Sequence, residues 1–172
     1  MRAVAAGLLL LLAAADVGPY GPAFGAKADV VRSFTLTTTG AIAREITGKK
    51  GDGKTGLRGQ CNPTMFANFG IERGDFDQRA DIYLITKGKI ATGATGEFKL
   101  DTIWVSFYDD ANGERKFGGP GTLTLTIHEA SPGARRMKGT ITGPKLEGLD
   151  TQKGKFIAVT ASFDMDFSCG VK

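Results

Sequence analysis

The sequence predicts one all-β domain, built as an antiparallel β-sandwich, a jelly roll or a small β-barrel of about eight to ten strands. Apolar and polar residues alternate strictly over residues 122–130, and again over residues 157–169. A period of two is typical of a strand with one buried face. The chain also contains 25 glycines among 172 residues, about twice the usual share. Their dispersion among Thr, Ile and Phe indicates many tight turns between short strands.

The remaining elements follow from the same patterns. Short β-branched or alternating segments predict strands at residues 31–38, 41–47, 81–86, 90–92, 97–100, 102–108 and 137–141. Asn112-Gly113 supplies the positive-φ residues that a type I′ hairpin turn needs. A Gly- and Lys-rich loop is expected over residues 48–59, and residues 63–70 are the one candidate for a short helix. The last strand is long, so a bulge or bend is expected near Ala161.

The first 28 residues have the composition of a secretory signal peptide. Arg2 precedes an apolar run over residues 3–15, and Ala26-Lys27-Ala28 resembles an A-x-A cleavage site. The alternative is a membrane anchor, but the run is shorter than the roughly 18–20 residues that span a bilayer. The sequence therefore predicts residues 1–28 as a cleaved signal peptide and residues 29–172 as one exported β domain without a transmembrane span. The expected location is periplasmic or extracellular.

The two cysteines, Cys61 and Cys169, are predicted to form a disulfide. An even pair in an exported chain is commonly oxidised. Cys169 also falls on the apolar face of the last predicted strand. Two buried free thiols are the alternative.

Charge and motifs exclude some function classes. The formal net charge is +4, and no block of Lys and Arg is interleaved with aromatic residues, so nucleic-acid binding is not predicted. The segment from Gly48 to Thr55 matches the phosphate-binding pattern G-x-x-x-x-G-K-[ST]. However, Gly56, Gly59 and Pro63 disfavour the helix that this motif requires. We expect a flexible hairpin loop there, with no nucleotide and no cofactor.

Candidate catalytic groups are few. His128 is the only histidine; it is expected to be exposed at a strand end, and otherwise could act as a lone base. Asp164 and Asp166 alternate on the outer face of the last strand, where side chains two residues apart stand roughly 6.5–7 Å from each other. Paired carboxylates at such distances carry out glycoside hydrolysis. A carbohydrate-active hydrolase is therefore the enzyme alternative, although a solvated strand face explains the same pattern.

A weak calcium candidate lies in the turn that contains Asp109, Asp110, Asn112 and Glu114. Oxygen ligands crowded into one turn suit Ca²⁺, but the spacing is not that of an EF-hand. A turn carrying solubilising charges is the competing interpretation, and no metal is predicted.

Aromatic residues provide the leading functional hypothesis. Trp104 and Tyr108 fall on the face opposite Ile103, Val105 and Phe107. Phe66 and Phe69, in the candidate helix, could form a lid or plug over that face. Such aromatics could stack on sugar rings or line an apolar cup; packing on both faces of the strand is the alternative. We predict a non-catalytic exported binding or interaction module for an apolar ligand or a glycan. A structural component of the cell envelope is a further possibility.

Overall fold

The described residues form one antiparallel sheet of nine strands that is nearly closed into a barrel. The computed structural model describes residues 31–58, 69–75, 79–109, 113–131 and 134–166. The strands are β1 (Val31–Gly40), β2 (Arg44–Lys49), β3 (Thr55–Arg58), β4 (Phe69–Asp75), β5 (Arg79–Lys87), β6 (Gly96–Asp109), β7 (Gly113–Ser131), β8 (Ala134–Gly148) and β9 (Phe156–Asp166), with a 3-10 helix at Asp150–Gln152. Their spatial order is β2-β1-β9-β8-β7-β6-β5-β4-β3. The all-β prediction is thus confirmed, in its barrel form.

The two edge strands, β2 and β3, behave as two halves of one long strand. Eight antiparallel pairings separate them, so β2 and β3 run in the same direction. Parallel neighbours need a crossover of a dozen or more residues, whereas only residues 50–54 connect these two. The chain therefore continues in line. At Lys50 it still bonds to β1, through Arg32 O at 2.9 Å, and at Lys54 it already bonds to β4, through Gly74 N at 2.8 Å.

Asp52 organises this seam, which we define as residues 50–54. Its carboxylate accepts the N–H groups of Lys49, Lys54 and Thr55 at 2.8–2.9 Å and the Thr55 hydroxyl at 2.9 Å. Gly51 and Gly53 flank it with φ of +82° and +66°, a region that glycine enters at little cost. Although burial acts to raise the pKa of Asp52, these hydrogen bonds lower it from 3.8 to about 2.

The seam corrects the prediction of a loop over residues 48–59. Residues 55–58 form β3, and the connection is an in-line bend rather than a hairpin. It also shows what the phosphate-loop pattern does in this chain. That motif would direct the N–H groups of Lys54 and Thr55 at phosphate oxygens and the Thr55 hydroxyl at Mg²⁺. In this chain all three groups donate to Asp52 instead.

Large apolar side chains fill the barrel. Phe34, Phe107 and Phe117 are each at most 1% exposed, and the last two meet edge to face with ring centroids 6.3 Å apart. Among the described residues, nineteen further apolar residues belong to the same buried cluster. Barrels of about eight strands have an interior just wide enough for side chains to fill. At the end where β6 meets β7, the Arg44 guanidinium lies 5.9 Å from the Phe107 ring.

Several local predictions need correction. The register of β7 on β8 shifts between Leu125 and Ile127, which reverses the alternation. His128 therefore points inward, only 6% exposed, with Nδ1 2.9 Å from Ala94 O. The register pairs Asp109 with Gly113, so three residues separate the paired positions and a two-residue type I′ turn is wrong. Residues 90–92 form no strand, and β9 keeps a continuous register at Ala161 instead of a bulge.

Other predictions fall on residues outside the described part of the chain. Residues 1–30 include the predicted signal peptide, and Cys61 and Cys169 are also outside it. Of the candidate helix, residues 63–68 are outside, while Phe69 and Gly70 begin β4. The signal peptide and the disulfide stay predictions.

The seam generates the first testable prediction. Asp52→Asn is expected to lower the free energy of unfolding at pH 7 by about 2 kcal/mol, since each unit of pKa difference is worth about 1.4 kcal/mol. The pKa of Asp52 is depressed in the folded protein, so this stabilisation is present above pH 3.8 and is lost as the pH falls through about 2. Denaturant unfolding of both proteins between pH 7 and pH 2 measures it.

The matched control is Asp101→Asn, which changes an exposed carboxylate on β6. Its unfolding curve should follow that of the wild-type protein at every pH. Equal losses for the two variants across the whole pH range would contradict the role assigned to Asp52.

Candidate functional site

One row of outward-facing residues crosses five strands of the barrel. The registers align Ile85 of β5, Trp104 of β6, Gly118 of β7, Glu147 of β8 and Phe156 of β9. The inner residues beside them, such as Val105 and Phe117, are completely buried. The prediction that Trp104 and Tyr108 lie opposite Ile103, Val105 and Phe107 is therefore confirmed.

Exposed apolar side chains concentrate on this surface. Within the described residues, the large hydrophobic side chains that are exposed are Trp104 at 39%, Phe156 at 39% and Leu149 at 38%. Leu149 follows β8 and donates its N–H to Lys116 O on β7, which places it beside the row. All three therefore lie on one side of the barrel, and exposed apolar residues grouped on one side can mark a binding site. We call this surface, made of the row and Leu149, the Trp104 face.

Trp104 lies across the β7 backbone at Gly118. A Cβ built on Gly118 would stand 2.9 Å from Trp104 Cδ1 and 3.1 Å from Nε1. Glycine is needed here for space and not for an unusual φ. The Cδ1–Nε1 side of the indole therefore packs on the glycine of the neighbouring strand. Trp104 is still 39% exposed, so the sheet holds the ring while part of it stays open to solvent.

Phe156 forms the far side of the same row. Three strand spacings separate it from Trp104, which amounts to roughly 14 Å. The Lys145 ammonium lies 4.2 Å from the centre of the Phe156 ring, a cation–π contact. Glu147 stands between the two aromatics in the register. The Trp104 face thus combines two rings with charged groups at its margin.

A polar network borders the Trp104 face and extends over the next two rows of the register. Glu114 accepts a hydrogen bond from the Tyr108 hydroxyl at 2.5 Å and a salt bridge from Lys116 Nζ at 2.8 Å. Burial acts to raise the pKa of Glu114, but the bonds from Lys116, Tyr108 and Ser106 outweigh it and lower that pKa. The same salt bridge raises the pKa of Lys116. Tyr108 also meets Tyr83 edge to face at 5.5 Å, so its ring is held in place.

The structure brings only some of the predicted binding residues together. Trp104 and Tyr108 share the outer face of β6, with Ser106 between them. Phe66 lies outside the described residues, and Phe69 opens β4 with a side chain that is not described. The prediction missed Phe156 and Leu149. Phe156 is an even-numbered residue in a strand whose odd-numbered positions are buried, and this signal could have identified it.

Asp164 and Asp166 lie on the outer face of β9 and are each paired with an arginine. Arg136 binds Asp164 through two bonds of 2.8 and 2.6 Å, and Arg32 contacts both oxygens of Asp166 at 2.9 Å. The bond from Arg136 lowers the pKa of Asp164. A general acid in glycoside hydrolysis needs a raised pKa. The geometry therefore favours ion pairing across strands for these residues.

The calcium candidate is described only in part. Asp110 and Asn112 lie outside the described residues, as does the side chain of Asp109. Glu114 is occupied by Tyr108 and Lys116. In the part of the chain that the structure covers, no group of three His, Cys, Asp or Glu side chains is arranged to hold a metal ion.

Comparisons with known proteins found no matching family model, curated protein or solved structure. Within the described residues, no helix is long and apolar enough to cross a membrane.

The contact between Trp104 and Gly118 leads to a second prediction. Gly118→Ala should lift the indole from the sheet, because the new Cβ would overlap its Cδ1. Trp104 is the only tryptophan, so its fluorescence should shift to longer wavelength and become easier to quench with iodide. The thermal midpoint should change little, since the indole can rotate into solvent.

Thr124→Ala is the control for this change, because it alters the same strand at a distance from the indole. Its emission spectrum should match that of the wild-type protein. An unshifted spectrum in the Gly118→Ala protein would contradict the arrangement described for Trp104.

Proposed function

We propose that this chain is an exported, non-catalytic binding module that takes a glycan on the Trp104 face. The observation that carries the proposal is the position of Trp104, packed against Gly118 and still 39% exposed. A sugar ring presents weakly positive C–H groups that stack on the negative face of an aromatic ring. A platform held in place by the sheet loses little side-chain entropy when a ligand binds.

The packed interior supports a glycan over an apolar ligand held inside the barrel. Phe34, Phe107 and Phe117 occupy the space where such a ligand would lie. The Trp104 face, in contrast, places rings beside charged groups. Glu147 stands between the rings, and Lys116 lies one row from Trp104 and is paired with Glu114 on the following row. Together they supply the donors and acceptors that sugar hydroxyls need. A purely apolar ligand would leave these groups unused.

The N-terminal sequence supports export. Arg2, the apolar run of residues 3–15 and the A-x-A pattern ending at Ala28 have the order of a secretory signal peptide. An exported domain meets the polysaccharides of cell surfaces and their surroundings, so the proposed ligand and the proposed compartment agree. The hydrolase alternative has less support, because Asp164 and Asp166 are held by arginines on an outer face.

Fluorescence of the single tryptophan tests this proposal. Titration of the wild-type protein with soluble polysaccharides should change the Trp104 emission, and calorimetry should give the matching affinity. Trp104→Ala should weaken binding about tenfold or more, since a buried aromatic contact is worth about 1.5 kcal/mol or more. Trp104→Phe should keep part of the affinity because it retains a ring.

Lys138→Ala is the control. Lys138 lies on β8, and its register partner Asp164 lies toward the Arg136 end of the barrel. It should bind as the wild-type protein does. Unchanged affinity in Trp104→Ala, or binding of fatty acids with no response to any polysaccharide, would contradict the proposal.

A further inference from the structure

Hydroxyl side chains form two ordered rows on the outer face of the barrel. The registers align one row across β2, β1, β9, β8 and β7, and a second row across β1, β9, β8 and β7. The first contains Thr47, Thr35, Ser162, Thr140 and Thr124, and the second contains Thr37, Thr160, Thr142 and Thr122. We call these nine residues the hydroxyl rows. On four of the five strands the pattern is a Thr-x-Thr or Thr-x-Ser pair.

The geometry of the rows is regular. Neighbouring strands place hydroxyls about 4.8 Å apart, and positions i and i+2 on one strand are roughly 6.7 Å apart. Thr37, Thr124, Thr160 and Ser162 are exposed, and the residues between them on the inner face, such as Leu36 and Ala161, are buried. The rows are therefore a surface feature of the sheet and not part of its core.

The rows are uncharged in a chain in which 23% of residues are charged. Charged residues begin at their margins. Glu45 and Lys99 stand at the two ends of the second row, and Lys138 pairs with Asp164 just beyond the first. Strand formation does not require the rows to be uncharged, because charged residues occupy equivalent outer positions on the same strands. The nine positions therefore offer hydroxyls that both donate and accept hydrogen bonds, with no fixed charge among them.

The hydroxyl rows are continuous with the Trp104 face along β9. Phe156, Ala158, Thr160 and Ser162 are successive outer positions of this strand. A ligand lying over Phe156 would reach Thr160 after about 13 Å. The sheet also twists from strand to strand. A flexible polymer can follow this twisted surface more readily than a flat, rigid ligand can.

We infer that the ligand of the Trp104 face is a neutral, extended polysaccharide whose chain continues over the hydroxyl rows. This inference rests on the proposed function and names its ligand class. A neutral polymer presents hydroxyls that match those of the rows. An anionic polymer would bring carboxylates against nine positions without a cation, and desolvation of a charge without a partner is unfavourable. Binding should accordingly be insensitive to ionic strength.

The test compares polymers and short oligosaccharides by calorimetry on the full chain. The probes are a neutral glucan, a neutral xylan and dextran, their two- to three-sugar fragments, and the anionic polymers polygalacturonate and alginate. A neutral polymer should bind more tightly than its own fragments, with the same affinity at low and high salt. Thr142→Val with Thr160→Val removes two hydroxyls from the rows while keeping β-branched shape and strand propensity.

The double variant should weaken binding of the neutral polymer about tenfold, because each neutral hydrogen bond contributes modestly. It should leave the affinity for the short fragments unchanged. Thr95→Val, which alters an exposed threonine in the turn before β6, is the matched control and should bind as the wild-type protein does. Circular dichroism and thermal midpoints check that all three proteins fold alike.

The outcomes separate the inference from the proposed function. If Trp104→Ala loses binding while the double valine variant binds the polymer as tightly as the wild-type protein, the inference is overturned and the proposed function stands. Binding of the anionic polymers alone also overturns the inference. If the wild-type protein binds no polysaccharide, the proposed function fails and the inference fails with it.

Discussion

The barrel depends on the bend at Asp52, because this bend allows the sheet to meet a constraint on the number of its strands. A closed antiparallel sheet requires an even number of strands, because each strand must run opposite to both neighbours. In the part of the chain that the structure describes, the hydrogen-bond pattern gives nine strands. Because β2 and β3 run in line through the seam, they count as one strand of the barrel. The barrel then has eight strands, an even number, and its sheet can close. Arg73 strengthens the junction, since its Nε donates to Thr47 O at 2.9 Å and lies 4.0 Å from Asp52.

Closure of the sheet determines where a ligand can bind. Once the strands curl around one interior, every second side chain must fit within it, and Phe107 and Phe117 do so without exposure. The outer face is then the surface that remains available for recognition. On that face, Gly118 gives up its own side chain so that Trp104 can lie across the backbone. In the proposed function, the scaffold contributes rigidity and the outer residues contribute specificity.

The sequence predicted the structure correctly wherever a property, such as the face on which a side chain lies, depends on one strand alone. Alternation alone assigned the faces correctly over residues 102–108 of β6, residues 122–126 of β7 and the described part of β9, because the period of two is a property of a single segment. It did not identify the first half of β7, and it divided β6 into two strands. It was wrong at His128, since the shift between Leu125 and Ile127 arises from pairing with β8. It also missed β3, whose four residues lie in a glycine-rich stretch. Register is set between strands, so no single segment contains it.

The candidate site also combines features that depend on a single strand with features that depend on the pairing of strands. The exposure of Trp104 follows from its position in β6, but its contact with Gly118 depends on the β6–β7 register, and the distance to Phe156 depends on two further pairings. Likewise, Asp164 and Asp166 form an alternating pair in the sequence, whereas Arg136 and Arg32, which hold them, come from strands on either side.

Outer-face chemistry changes along the barrel in a way that one ligand class can explain. Rings with charged margins lie at one end, hydroxyls without charge follow, and arginine–carboxylate pairs, such as Arg136 with Asp164, lie at the other end. The ion pairs satisfy their own charges and leave little for a partner. An extended sugar chain needs ring stacking at one point and neutral hydrogen bonds along its length, and the first two zones supply these in that order. Cross-strand stability alone would account for the threonines, since such pairs contribute favourably, but it would not account for an exposed indole packed on a glycine of the same outer face.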